Sequence, residues 1–303
     1  MNSAAFKTAL ITGITGYLGK ALAARLLGSG IAVHAIVRPT ARLDRLAGLP
    51  IPPVLHRHDG TLATIVSAMT QSKPDVIFHL AGHYVADHTP EQVEPLLRDN
   101  VLFGAQVLEA ARCVGVNRFV NVGSYAQNAD PSNYRPLNLY AAAKQAFEDL
   151  MAYYADACGM ATITLRLYYT YGPNDWRGKL MEAIRKAQKA GTLLPLVTAE
   201  ETMDIVHVDD AVAAFVCAAE LLMGASEQVS GRVFAVRPDQ SVTVGEIVAA
   251  FEREGGTPVR AQWGAYPLPA RRITAPWRGP LLPGWRAEVA LTDGIRSMIA
   301  QES

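Results

Sequence analysis

Tyr140-Ala-Ala-Ala-Lys144 sets a phenol and an ammonium four residues apart. On a helix those positions share a face, so both groups can reach one bound molecule. A nearby ammonium favours phenolate, so Lys144 is expected to lower the Tyr140 pKa and make it a general acid/base near neutral pH. Ser124 closes an apolar run, 119–124, where its hydroxyl can hydrogen-bond a carbonyl or alkoxide beside that phenol. The three groups suit proton transfer at a carbonyl or alcohol. A Tyr-x3-Lys pair on a helix is common and usually structural, so its weight depends on what precedes it in the chain.

What precedes it is Thr12-Gly13-Ile14-Thr15-Gly16-Tyr17-Leu18-Gly19, placed between a first apolar run and a first amphipathic stretch. Glycines there allow a tight turn, let a pyrophosphate approach backbone N–H groups, and bring helix onto strand. The helix N-terminus adds positive potential. Gly13, Thr15, Gly16, Tyr17 and Leu18 are therefore expected to hold a dinucleotide. Leu80 and Ala81, after a later strand, are expected beside it. The second apolar run ends Ile36-Val37-Arg38, with Arg42 one turn on, where NAD binders usually carry an acid. Guanidinium pairs with a 2′-phosphate that a carboxylate would repel, so NADP is the expected cofactor, with NAD as the alternative; Arg38 as a solvated surface charge is the plainer reading. Asp59 and Gly60 follow the third run; Asp59 can accept from an adenine amino group or simply form a turn.

The elements that must position these groups alternate along the first half. Strands are expected over 8–11, 32–37, 53–56, 76–80, 119–122 and 162–167, without polar alternation, as in parallel strands covered on both faces. Helices are expected over 18–27, 62–69, 92–113 and 140–157. The pattern predicts an α/β fold, a doubly wound parallel sheet of Rossmann type. Residues 1–167, completed by about 204–240, form the expected cofactor-binding part; 168–203 and 241–303 form a smaller substrate-binding part. After residue 167 the spacing predicts strands over 205–208 and 233–236 and helices over 209–222, 244–254 and 292–300, with Thr243 and Glu246 as a capping box. The stretch 255–284 reads as irregular.

Composition narrows the class. The chain has 303 residues, half of them hydrophobic and 18% charged, against roughly 25% charged in ordinary soluble proteins. That excludes a disordered chain. Net charge is zero, so nothing recruits nucleic acid or an acidic membrane face. Cys113, Cys158 and Cys217 lack CxxC spacing and are expected to be small buried hydrophobes rather than disulfides or zinc ligands. Residues 1–7 lead into a strand with no signal core and no apolar stretch is long enough to span a bilayer, so a cytoplasmic location is expected.

With the glycine run, the strand-end serine and Tyr140/Lys144 in this order, the chain resembles the extended short-chain dehydrogenase/reductase family, of nucleotide-sugar epimerase/dehydratase type. The matching residues include Thr12-Gly13-x-x-Gly16-x-x-Gly19, Asp59, His79-Leu80-Ala81, Asn100, Ser124, Tyr140-x-x-x-Lys144, Arg166-x4-Tyr171-Gly172-Pro173, Asp204-Ile205-Val206-His207-Val208-Asp209-Asp210 and Gly284-Trp285. Within the family it is most similar to 4-ketoreductases of the CDP-abequose and CDP-paratose synthase sort. The resemblance implies that Tyr140 donates the proton, Lys144 orients the nicotinamide ribose, Ser124 positions the substrate oxygen and Asn100 supports the site. It also implies a homodimer pairing the helices at 92–114 and 140–158.

Departures from the family pattern bear on the substrate. Tyr169 stands where an asparagine contacting pyrophosphate is expected, and Met203 where an arginine is. Arg271 and Arg272 are expected to replace them, with Arg278, Arg177 and Lys179 as further candidates, and His83, Ser124, Tyr125 and Tyr169 to contact the substrate. Ser124-Tyr125-Ala126 lacks the Asp-Glu pair of the family's dehydratases, so dehydration is not expected. The function expected is NADP-dependent reduction of a 4-keto sugar nucleotide. A sugar-nucleotide epimerase, a reductase of a simpler ketone or aldehyde, and a non-catalytic NADP sensor are the alternatives.

Overall fold

The computed structural model describes residues 5–130, 134–273 and 275–301. Apolar runs become strands β1 (Thr8–Thr12), β2 (Ala32–Val37), β3 (Val54–Arg57), β4 (Val76–His79), β5 (Arg118–Ser124) and β6 (Ala161–Leu167). Between them lie helices α1 (Tyr17–Gly28), α2 (Leu62–Ser72), α3 (Val93–Leu97), α4 (Phe103–Val114) and α5 (Leu139–Cys158). After β6 come β7 (Tyr169–Tyr171), α6 (Leu180–Ala190), β8 (Leu194–Pro195), β9 (Thr202–Met203), β10 (Ile205–His207), α7 (Val208–Gly224) and α8 (Ser226–Val229). The chain continues through β11 (Arg232–Val236), β12 (Val242–Thr243), α9 (Val244–Gly255), β13 (Ala261–Gln262) and α10 (Leu291–Ala300).

Seven strands form one parallel sheet in the order β11-β6-β5-β4-β1-β2-β3. It is the doubly wound Rossmann arrangement. Adjacent residues on one strand serve opposite faces, which is why the strands show no polar alternation. Ile11, Phe78 and Val120 pack under α1 and α7 with Leu22, Leu26 and Phe215. Leu10, Ile77 and Phe119 pack under α2, α4 and α5 with Met69, Leu108 and Phe147. A third apolar cluster joins Tyr171, Met181, Ile184, Ile247, Phe251, Ile295 and Met298 beside the sheet. Among the described residues no helix is long and apolar enough to cross a membrane.

Three expectations change. The helix expected over 92–113 is preceded by a Thr89/Gln92 capping box and then interrupted, because α3 widens into a π-turn over Arg98–Leu102 before α4 begins. Such a turn shifts the side-chain register by one residue. Second, α6 was not expected at all, although Leu180, Met181, Ile184 and Ala187 recur at helical spacing. Its missing N-terminal cap side chain removes the usual start signal. Third, Cys113 and Cys158 are exposed and Cys217 is half-buried. Cys113 and Cys158 lie at the carboxyl ends of α4 and α5, beyond the stripe those helices bury. Thr243 and Glu246 form the expected box, the Glu246 carboxylate accepting from Thr243 N at 2.7 Å.

Gly104 lets α4 meet α5. A Cβ there would lie 2.4 Å from Phe147 Cε2, on a ring with no solvent exposure. Gly104→Val is expected to lower unfolding stability by about 1–3 kcal/mol through overpacking. The measurement is a urea melt; an unchanged midpoint would show that Phe147 can move aside.

Candidate active site

At the carboxyl edge of the sheet, β1 turns into α1 through a backbone that tolerates no side chain. Gly13 has φ of +78°, and a Cβ there would sit 2.6 Å from Ala81 N. A Cβ on Gly19 would sit 2.2 Å from Gly13 O. Leu80 N donates to Thr12 O at 3.1 Å and Ala81 N to Thr12 Oγ1 at 3.3 Å, closing the cradle from the β4 side. No side chain caps α1, which begins after Gly16, so its first N–H groups remain available to an anion.

Gly13, Thr15, Gly16, Arg38, Asp59, Gly60, Leu80 and Ala81 line one cavity of about 600 Å³. Its size, its glycine cradle and the open helix end fit a dinucleotide. Tyr17 and Leu18 enter differently from the rest. The Tyr17 hydroxyl donates to Pro173 O at 3.0 Å, and its ring lies edge-on to Trp176 and 4.4 Å from the Arg177 guanidinium carbon. Leu18 packs against the core. Neither residue lines the cavity. Asp59 accepts from Thr61 N at 3.0 Å, Thr61 Oγ1 at 2.7 Å and Thr64 Oγ1 at 3.1 Å, which holds its pKa below the ordinary carboxylate value. It is a turn residue that also faces the cavity.

On α5, capped by Asn138 accepting from Ala141 N at 3.0 Å, Tyr140 and Lys144 occupy successive turns. Lys144 is 2% exposed, and its Nζ lies 5.8 Å from the Tyr140 ring centre. Burial pulls the Lys144 pKa down to about 8, and the Glu148 carboxylate opposes that fall. The expected lowering of the Tyr140 pKa does not appear. Burial pushes its phenol well above the ordinary value, and Tyr84, edge-on at 5.1 Å between ring centres, adds to the rise. Loss of solvation for a phenolate outweighs attraction to an ammonium that is itself poorly solvated. Tyr140 is consequently held as a protonated donor. His79, buried beneath and bonded to Thr12 Oγ1 at 2.9 Å, is pushed down to about 3 by burial and by Lys144.

Ser124 Oγ accepts from Ala126 N at 3.2 Å, leaving its own proton to donate outward. Tyr125 stacks on Tyr168 with ring centres 5.1 Å apart, and burial pushes its pKa up to about 12. Asn100 Nδ2 donates to Leu96 O and His83 O, both at 2.9 Å, while Oδ1 accepts from His83 N at 3.2 Å. Asn100 thus staples the segment after β4 to the π-turn. His83 Nδ1 lies 3.4 Å from Asp99 Oδ2.

The sequence reading missed the support behind these groups. Gly82 makes room, since a Cβ there would lie 3.0 Å from Asn100 Oδ1 and 3.3 Å from Lys144 Nζ. Gln127 accepts from Ser124 N at 2.8 Å and donates to Glu148 Oε1 at 2.9 Å. Glu148 is paired at 2.6 Å with Arg166, both side chains under a tenth exposed, and Trp277 covers the Arg166 guanidinium at 5.0 Å. The Tyr168 hydroxyl donates to the Trp277 carbonyl. Glu148 falls one turn after Lys144, a spacing visible in the chain; the Arg166 and Trp277 contacts have no local signal.

The two expected phosphate-binding arginines differ in what already engages them. Arg271 donates to Leu137 O at 3.0 Å and Pro136 O at 2.6 Å, bracing the loop before α5. Arg272 is exposed. Tyr169 receives Met181 N at 3.4 Å and carries Lys179 Nζ over its ring at 4.8 Å. Burial and Arg177 pull that lysine down to about 8 against Asp175. Arg278 pairs with Asp204 at 3.2 Å.

Residues 9–230 match the model of the NAD dependent epimerase/dehydratase family, and the chain belongs to that family of enzymes. It is 26% identical over 206 residues to a CDP-abequose synthase of Yersinia pseudotuberculosis, covering 68% of this chain and 70% of that one. A CDP-abequose synthase of Salmonella muenchen is 22% identical over 306 residues, 98% of each chain. In fold it is similar to the UDP-glucose 4-epimerase of Brucella ovis solved with NAD, at a TM-score of 0.83 and 21% identity, over 97% of this chain and 98% of that one.

Lys144 releases its proton near pH 8 in the folded chain, against 10.5 for an ordinary lysine. Its charge therefore opposes folding at pH 7, and this site's contribution to stability rises as pH climbs from 8 toward 10.5. Lys144→Met is expected to raise stability at pH 7 by roughly 1–3 kcal/mol, an increment that shrinks at pH 10. Glu148→Gln is expected to lower it by about 3–5 kcal/mol, because Arg166 stays buried without its carboxylate. Denaturant melts at both pH values measure each, and a Lys144→Met protein less stable than the parent at pH 7 would contradict the account of the site.

Proposed function

We propose that the chain is an NADP-dependent reductase of a 4-keto sugar nucleotide. The observation that carries this reading is the Tyr140 phenol one turn before the buried Lys144 on α5, with Ser124 tied to the same helix through Gln127 and Glu148 and its own proton uncommitted. Reduction consumes a proton at the new alkoxide, and Tyr140 is in the form that gives one. A nicotinamide dinucleotide held by Gly13, Thr15, Gly16, Leu80 and Ala81 would supply the hydride for the carbonyl carbon. Tyr140 protonates the oxygen, Ser124 donates a hydrogen bond to it, and the Lys144 ammonium stabilises the phenolate left behind. Arg38, on the rim of the cavity where β2 ends without an acid, favours the 2′-phosphate cofactor. The relatives named CDP-abequose synthase support the sugar-nucleotide substrate.

A simpler ketone is the second reading, favoured by Tyr169 against Lys179 and by Arg271 and Arg278 already being engaged. An epimerase would instead retain its cofactor through both half-reactions. The homodimer would pair the helical segments 92–114 and 140–158, which expose Leu97, Leu102 and Tyr153. Light scattering at micromolar concentration is expected to give twice the 32.6 kDa chain mass.

Tyr140→Phe is expected to cut turnover by about 10²–10⁴-fold with melting temperature and NADPH affinity unchanged. Absorbance of NADPH with a panel of 4-keto sugar nucleotides is expected to fall by one equivalent per product. Product formed without net cofactor consumption, from protein purified with bound NAD, moves the assignment to epimerase. Turnover confined to non-nucleotide ketones moves it to the second reading.

A further inference from the structure

The cavity that takes the adenosine end lacks an acid on β2, yet a carboxylate reaches it from the opposite wall. Asp99 stands in the π-turn between α3 and α4, and its Oδ2 is 3.1 Å from Arg38 Nη1. The two partners differ in freedom. The Arg38 side chain is 69% exposed and that of Asp99 18%, so the guanidinium can swing while the carboxylate is anchored. Arg98 Nε lies 3.4 Å from Asp99 Oδ1, and His83 Nδ1 lies 3.4 Å from Oδ2. The next residue, Asn100, is fastened to the His83 backbone and to Leu96 O. Arg38, Arg98 and Asp99 all line the same cavity.

We propose that Asp99 is a specificity-determining residue that sets the balance between NADP and NAD by holding Arg38. This rests on the reading that Arg38 meets the 2′-phosphate. A phosphate that takes Arg38 must displace a fixed carboxylate and then remain in its field, at a cost that grows with the phosphate's double charge. A ribose bearing two hydroxyls carries no such charge and can donate to the same carboxylate. Asp99 therefore weakens NADP binding and supports NAD binding. It supplies, from a helix across the cavity, the acid that NAD binders usually place at the end of the second strand. Of the other cations lining the cavity, Arg42 is paired with Asp44 at 2.8 Å and Arg45 lies over Trp176, which leaves Arg98 beside Asp99.

The test titrates NADPH and NADH, without substrate, into the full chain by nicotinamide fluorescence. It uses the parent, Asp99→Asn, Arg38→Ala and the double variant at low salt. Asp99→Asn is expected to tighten NADPH about five- to tenfold and to leave NADH unchanged or weaken it. The gain is expected to disappear in the Arg38→Ala background and to shrink at high salt. Equal changes for both cofactors, or looser NADPH binding by Asp99→Asn, would overturn the proposal and make Asp99 a support for the turn. If Arg38→Ala leaves NADPH affinity intact, the 2′-phosphate reading of Arg38 fails first and the proposal with it, an outcome distinct from the preceding one. Melting curves check that each variant is folded, and Asp99→Ser stands in if the asparagine disturbs the turn.

Discussion

Lys144 carries an ammonium into a position 2% exposed, and much of the site is arranged around keeping it there. An isolated buried charge of this kind neutralises unless something answers it. Glu148, one turn on along α5, answers it and is itself held by Gln127 and by Arg166, whose guanidinium lies over Trp277. That chain of contacts ties the helix bearing Tyr140 and Lys144 to the end of β5, since Gln127 also receives Ser124 N. The Tyr140 helix, the Lys144 ammonium and Ser124 are thus tied to one another by a buried polar network. Such a network is worth its desolvation only if every member is satisfied, which is why removing one carboxylate is costly.

Close backbone approach is the second constraint. Gly13 against Ala81, and Gly82 against Asn100 and Lys144, bring the ends of β1 and β4 within reach of a ligand and of α5. A methyl group at any of these places would push the cradle from the proton-transfer groups. Tyr17 then joins the start of α1 to the segment after β7, its hydroxyl on Pro173 and its ring between Trp176 and Arg177. The glycine turn is therefore also the place where the segment after β7 docks.

Charge at the far end of the cavity is balanced rather than one-sided. Arg38 faces Asp99, Arg42 faces Asp44, and Arg98 faces Glu94 as well as Asp99. A neutral chain with local ion pairs presents guanidinium where an anion can compete for it, without a broad basic surface.

Much of this architecture was legible in the residues. Unbroken apolar runs alternating with amphipathic stretches determine a parallel sheet covered on both faces, and β1, β2, β5 and β6 fall where the runs do. The glycine spacing determines the cradle, because only a residue without Cβ fits φ of +78° against Ala81 N. Tyr140 and Lys144 follow from helical periodicity alone. Other features depended on distance in the chain. The helix expected to run unbroken past residue 92 opens into a π-turn that presents Asp99 to Arg38, 61 residues earlier. The Tyr140 pKa moves opposite to the local expectation because burial is a property of the packed fold, not of the Tyr-x3-Lys spacing. Arg271 spends its hydrogen bonds on carbonyls 134 and 135 residues away, which no composition of the tail foretells. Local sequence determines which backbone shapes and faces form; which charges meet, and which lose their water, is decided only when those faces close on one another.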